Sequence, residues 1–215
     1  MTKLRLSWPN RITIARILLI GPFVMAMLHL NDPRYAPWSR YAALATFLCM
    51  AASDALDGWL ARRSRNVTTL GAFLDPLADK LLITCASLLL AAPATAVPGL
   101  PLPDVVVVII IGKDLYTVLG FLIVYLVVGQ VKIAPDCFGK AGTVLQVSLV
   151  AAILASPEII RWLPAYRTFV VVLWWLASAC AVATVLSYTR KGSRFLSEYE
   201  NRARQNHSEN PPTPR

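Results

Sequence analysis

The chain has 215 residues, 56% of them hydrophobic and 15% charged, with a net charge of +9 and a mean hydropathy of +0.56. Soluble domains run at about 45–50% apolar and about 25% charged, so this composition excludes a disordered chain and argues against an ordinary soluble domain. The basic excess lacks the interleaved aromatics of a nucleic-acid surface and suits anionic lipid headgroups instead.

A helix that crosses a bilayer needs about 20 mainly apolar residues. Six stretches qualify, at about 12–30, 41–60, 72–92, 105–128, 142–160 and 168–188. Pro33 and Pro37 mark the first connection, and the four prolines within 93–103 forbid a continuous helix there. Pro135 precedes the fifth stretch, and Pro157 and Pro164 close it. No small-residue cleavage site ends the first apolar run, so it reads as a span rather than a signal peptide. The residues from Asn206 onward are polar and proline-rich, and disorder is expected there. This predicts an all-α integral membrane protein with a membrane domain over 1–189 and a basic, partly disordered cytoplasmic tail over 190–215.

The basic residues orient the spans. With both ends in the cytoplasm, 14 of the 21 Lys and Arg fall on the cytoplasmic side. Arg34, Arg40, Arg161 and Arg167 fall on the other side, and Arg16, Lys80 and Lys113 within spans. That bias follows the positive-inside rule and supports an even number of spans with both ends cytoplasmic; the expected location is the cell's inner (cytoplasmic) membrane. Cys49, Cys85, Cys137 and Cys180 show neither CxxC nor metal spacing and read as small packing residues.

The chemistry concentrates between Asp54 and Asp79. Asp54 and Asp57 are three residues apart and Asp75 and Asp79 four apart, so each pair shares a helix face. A short connection holding Arg62, Arg63 and Arg65 places both pairs at helix ends near the cytoplasmic surface. Four carboxylates brought together repel one another unless a cation lies between them. An all-oxygen set suits hard divalent ions, Mg²⁺ or Mn²⁺. Two such ions would bridge a pyrophosphate and neutralise charge on a leaving phosphate, while a nearby Asp takes the proton of an attacking hydroxyl. Gly58 and Gly71 leave room for a nucleotide to approach the backbone, and Arg62 can pair with phosphate oxygens. One Asp at a helix end is ordinarily a cap, but four at these spacings in so apolar a chain point to function. Arg63 and Arg65 are better read as positive-inside anchors. A small transporter also carries intramembrane charges, but spreads them through the bilayer depth rather than clustering them at one end.

The spacing D-x2-D-G-x2-A-R-x8-G-x3-D-x3-D is met by Asp54, Asp57, Gly58, Ala61, Arg62, Gly71, Asp75 and Asp79. It resembles the signature of the CDP-alcohol phosphatidyltransferase family without departure. The opening PNRITIAR, with Pro9, Asn10, Thr13 and Arg16, is similar to that family's first-helix motif, and the resemblance covers roughly residues 8–189. It implies six transmembrane helices around a polar cavity open to the cytoplasm, in a protein that is often a homodimer. It also implies attack of an alcohol on the β-phosphorus of CDP-diacylglycerol with release of CMP. By the same resemblance Asp54, Asp57, Asp75 and Asp79 ligate two Mg²⁺ or Mn²⁺ ions and Asp79 is also the general base. Gly58, Ala61, Arg62, Gly71 and Thr13 line the CDP site.

The segments LGAFLDPLADKLLIT and FGKAGTVLQ resemble the branch with glycerol-type acceptors. That branch holds phosphatidylglycerophosphate synthases, which use glycerol 3-phosphate, and CMP-forming cardiolipin synthases, which use phosphatidylglycerol. Lys113, Lys140 and Arg190, all expected near the cytoplasmic end, are candidate acceptor-binding cations. Lys113 and Asp114 stand where the bacterial phosphatidylglycerophosphate synthases usually carry Arg-Glu. Partners on other helices are an equal expectation for both residues. Glycerol 3-phosphate is the leading expectation and phosphatidylglycerol the alternative.

Overall fold

The computed structural model describes the backbone of residues 8–63, 69–128 and 137–209, and among these the side chains of 13–35, 38–54, 80–120 and 139–193. The described chain is six helices in sequence: α1 (Trp8–Leu28), α2 (Ala36–Arg63), α3 (Thr69–Ala91), α4 (Asp104–Val128), α5 (Cys137–Trp162) and α6 (Tyr166–Glu209). They coincide in order with the six predicted stretches. Among the described residues, Gly139–Trp162 and Tyr166–Ser193 are long and apolar enough to cross a membrane, and Thr13–Leu28 and Lys80–Ala91 are shorter apolar stretches.

The helices outrun their apolar segments. α2 continues through Arg62 and Arg63, so these arginines belong to the helix and not to the connection. α6 passes the expected end at Tyr188 and reaches Glu209. The residues from Thr189 to Glu209 include four Arg and three Glu and contain no proline, so nothing breaks the helix where its apolar pattern ends. The expectation of disorder from Asn206 is corrected to helix for 206–209, and 210–215 lie outside the described residues. Pro157 also fails to close the fifth helix, since α5 runs through it to Trp162. A proline leaves the carbonyl four residues earlier without its amide donor. That carbonyl, on Ile153, accepts instead from the Ser156 hydroxyl at 2.7 Å.

The core is one contiguous apolar cluster built from all six helices. It includes Phe23 and Met27 of α1, Phe47 and Met50 of α2, Ile83 and Leu90 of α3, Ile110 of α4, Ile153 of α5 and Val170 of α6. The Phe23 and Phe47 rings meet at 5.9 Å between centroids. α1 packs against both α2 and α3, α5 against α2 and α6, and α4 against α6. Large apolar side chains also cover the outside, Leu18, Val108, Val144 and Trp175 among them. The proline-rich 92–103 segment is a tight turn between α3 and α4, as expected. Its Gly99 takes a left-handed φ of 80°, Leu102 donates to the Leu90 carbonyl at 3.1 Å, and Val97, Leu100 and Leu102 are buried. Cys49 and Cys85 are free thiols; the Cys137 side chain lies outside those described.

Candidate active site

The backbone places Asp54, Asp57, Gly58, Ala61 and Arg62 on α2 and Gly71, Asp75 and Asp79 on α3. Of these eight, Asp54 has a described side chain; those of Asp57, Ala61, Arg62, Asp75 and Asp79, and the surroundings of Gly58 and Gly71, lie outside the described residues. The carboxylates do not sit at the helix ends as expected. Asp54 precedes the last residue of α2 by nine positions, about 14 Å, and Asp79 follows the first residue of α3 by ten, about 15 Å. The helices extend past their apolar stretches, so the four carboxylates lie six to ten residues inside them, while Ala61, Arg62 and Gly71 stay near the ends.

Asp54 is held from α1. Arg16 donates through Nη1 to Asp54 Oδ1 at 2.7 Å, with the Arg16 side chain 1% exposed and that of Asp54 45% exposed. Thr13, one turn earlier on α1, is fully buried. Thirty-seven residues separate the two partners along the chain, and the packing of α1 on α2 joins them.

A second polar cluster lies among α3, α4 and α5. Lys80 forms an ion pair with Asp114 Oδ1, and the Lys113 ammonium lies 2.9 Å from the same oxygen and donates to Gln146 Oε1 at 3.2 Å. Lys113, Asp114 and Gln146 are all buried. These charges are mid-helix: Lys113 is fifteen residues, about 22 Å, from the end of α4 at Val128. The expected place near the cytoplasmic end is therefore corrected. Charges at that depth persist only when partnered, and here Asp114 is shared between two lysines while Gln146 receives one of them.

Lys140 and Arg190 stand apart from that cluster. Both are exposed. They share a level because a Cβ built on Gly139 of α5 would lie 3.7 Å from the Tyr188 hydroxyl of α6. Tyr116 of α4 joins them there, its hydroxyl 2.7 Å from Thr189 Oγ1. Gln146 is six residues further along α5, so the Lys113 layer lies about 9 Å deeper than Lys140. The structure thus gathers Lys140 with Arg190, and Lys113 with Lys80, into two layers.

The sequence alone gives Gln146 and Arg16 no partner. The signal for Gln146 is an amide within an apolar span, seven residues from Gly139 in FGKAGTVLQ, which suits an intramembrane cation. The groove described in the structure, about 410 Å³ and lined by Met25, His29, Tyr35 and Trp38, is at the opposite end, where α1 meets α2. It does not coincide with the expected polar cavity.

The chemistry of the donor set fits a hard cation: four carboxylates on two helices supply oxygen alone, and among the described residues the buried charges Arg16, Lys113 and Asp114 each have a partner. Among the described residues no group of three or more His, Cys, Asp or Glu gathers as a metal centre, and three of the four carboxylates fall outside that description.

The family model described as CDP-alcohol phosphatidyltransferase matches residues 6–186. A Bacillus subtilis protein named CDP-diacylglycerol--glycerol-3-phosphate 3-phosphatidyltransferase is 35% identical over 153 residues, 68% of this chain and 75% of that protein. A Pseudomonas fluorescens protein of the same name is 48% identical over 84 residues, 38% of this chain and 40% of that one. A rice protein named cardiolipin synthase (CMP-forming) is 28% identical over 202 residues, 89% of this chain and 59% of that protein. The matched region is thus three quarters of the first relative and less than two thirds of the other two.

Proposed function

The chain belongs to the CDP-alcohol phosphatidyltransferase family, and from that premise we propose that it moves a phosphatidyl group from CDP-diacylglycerol to glycerol 3-phosphate, releasing CMP and forming phosphatidylglycerophosphate. The observation that carries this reading is the complete eight-residue motif, distributed over α2 and α3 with its first Asp anchored by Arg16. The apolar outer surface of the described helices supports contact with a bilayer, and six spans in the inner membrane with both termini cytoplasmic are part of this proposal. A homodimer, a cavity open to the cytoplasm, and a cytoplasmic tail over 190–215 attached to a membrane domain over 1–189 belong to the same proposal.

Asp54, Asp57, Asp75 and Asp79 are assigned to two Mg²⁺ or Mn²⁺ ions, which when bound supply charge neutralisation at the pyrophosphate. Arg62 pairs with phosphate oxygens of the nucleotide. Gly58, Ala61, Gly71 and Thr13 shape the CDP site, where small side chains let the nucleotide approach the backbone. Asp79 takes the proton of the acceptor hydroxyl as its oxygen bonds to the β-phosphorus. The bond from that phosphorus to the oxygen of CMP then breaks, and CMP leaves with the electron pair. Lys140 and Arg190, exposed at one level, receive the phosphate of the acceptor, and Lys113 supplies a cation at the deep side of the same site.

The second reading, a CMP-forming cardiolipin synthase with phosphatidylglycerol as acceptor, is favoured by the long match to the rice protein. One assay separates the two: CMP release from CDP-diacylglycerol by the purified protein with Mg²⁺ or Mn²⁺, offered each acceptor alone. Turnover with glycerol 3-phosphate and none with phosphatidylglycerol is the expected result, and the reverse establishes the second reading. Turnover with neither overturns both.

A further inference from the structure

Arg16 heads the fully buried side chains of the described residues by size, ahead of Phe23 and Phe47. A guanidinium so placed is costly unless every feature of its surroundings holds it. Its partner Asp54 is not buried to match: the cation is 1% exposed and the carboxylate 45%. The pair is therefore one-sided, with the arginine inside the packing of α1 and the carboxylate opening outward. Nη1 occupies Oδ1 at 2.7 Å. A carboxylate is planar, so fixing one oxygen fixes the direction of the other. The guanidinium is planar too and its fork holds a direction, which an ammonium on a flexible stem does not. α1 packs on both α2 and α3, the two helices that carry the acidic motif, so an anchor on α1 is referenced to both.

We infer that Arg16 is a positioning residue for the cation site: it holds one oxygen of Asp54 so that the other is presented to a divalent ion. The inference rests on the reading of Asp54 as a cation ligand. It differs in sign from a simple countercharge. Removing a positive charge beside a carboxylate strengthens cation binding by Coulomb's law, whereas losing the orientation of a ligand weakens it by about 10- to 100-fold.

The test is Mn²⁺ binding to the purified full chain in detergent, read by the electron paramagnetic resonance of free Mn²⁺, for wild type, Asp54→Asn, Arg16→Lys and Arg16→Met. Asp54→Asn is expected to weaken binding. Arg16→Lys keeps the charge and is expected to weaken binding about 10-fold or more, with Arg16→Met weaker still. In the Asp54→Asn background, Arg16→Lys is expected to add nothing, which a general loss of packing would not produce. Unchanged affinity in Arg16→Lys, or tighter binding in Arg16→Met, overturns the inference. Unchanged affinity in Asp54→Asn overturns the underlying reading of Asp54 and the inference with it. Thermal unfolding without Mn²⁺ reports folding separately; should Arg16→Met fail to fold, Arg16→Lys carries the test alone.

Discussion

Around the 92–103 turn and the end of α1, the side chains of Asn31, Thr95 and His29 serve the backbone. Asn31 donates to the carbonyls of Ala94 and Ala96 at 3.0 and 3.2 Å, Thr95 donates to Leu89 O at 2.5 Å, and His29 Nδ1 lies 2.8 Å from Met25 O. Midway along the helices the polar side chains meet one another instead: Arg16 with Asp54, and Lys80 and Lys113 with Asp114 and Gln146. The first arrangement satisfies the carbonyls of a proline-rich connection, as any such connection must. The second places charges inside an apolar bundle, where they are expensive and where a purely structural chain would use Leu or Phe. The contrast teaches that depth and partner type, more than charge count, separate scaffold polarity from functional polarity here.

The sharpest way to break that contrast is at the motif itself. Asp79→Asn is expected to lower turnover by about 10²- to 10⁴-fold, the range for loss of a general base, while binding of CDP-diacylglycerol stays measurable by calorimetry. Turnover within a few-fold of wild type would remove Asp79 from the proton transfer. Next in size is Asp114→Asn, which leaves Lys80 and Lys113 without the carboxylate they share. Loss of one member of a buried ion pair destabilises by about 3–5 kcal/mol. The expected result is a large drop in thermal unfolding temperature in detergent, partly recovered by adding Lys80→Met, because one stranded charge is then gone. An unchanged unfolding temperature would mean that solvent reaches this layer.

The sequence made the helices legible because each carries its own apolar stretch, and made the acidic motif legible because its eight positions lie within 26 residues of one another. Their partners were less visible. Arg16 is legible as part of the first-helix motif and as a basic residue within a span, but its partner is not until the packing of α1 on α2 brings Asp54 to it. For Lys113 and Asp114, acceptor binding and partners on other helices are equal expectations until α5 delivers Gln146 to Lys113 and α3 delivers Lys80 to Asp114. Such pairings arise from the rotation and level of neighbouring helices, which apolar periodicity leaves undetermined. The helix ends erred for a different reason. Apolarity marks where a bilayer would lie, whereas helix propensity carried α2 through Arg63 and α6 to Glu209.

Two smaller substitutions sharpen the comparison from the scaffold side. Glu158 of α5 pairs with Arg40 of α2, their side chains 41% and 13% exposed, and also accepts from the Tyr41 hydroxyl at 2.8 Å. Glu158→Gln keeps an acceptor for Tyr41 and removes an ion pair half open to its surroundings, so a loss of about 0–1 kcal/mol is expected, with CMP release unchanged. A fall in CMP release would place this end in communication with the motif and weaken the division of roles.

An effect of similar size and opposite sign is expected at Gly142, buried on α5 against α6. A Cβ there would lie 3.7 Å from Cys180 Sγ and 3.9 Å from Thr184 Oγ1, both ordinary van der Waals distances. The two helices therefore do not need the absence of a side chain at this crossing. Glycine within a helix is disfavoured relative to alanine by roughly 0.5–1 kcal/mol, because it loses more backbone freedom on folding. Gly142→Ala is expected to raise the unfolding temperature slightly and to leave turnover with glycerol 3-phosphate as it was. A loss of turnover without a loss of stability would show that the approach of α5 to α6, and with it the alignment of Lys140 and Arg190, is adjusted to less than the size of a methyl group.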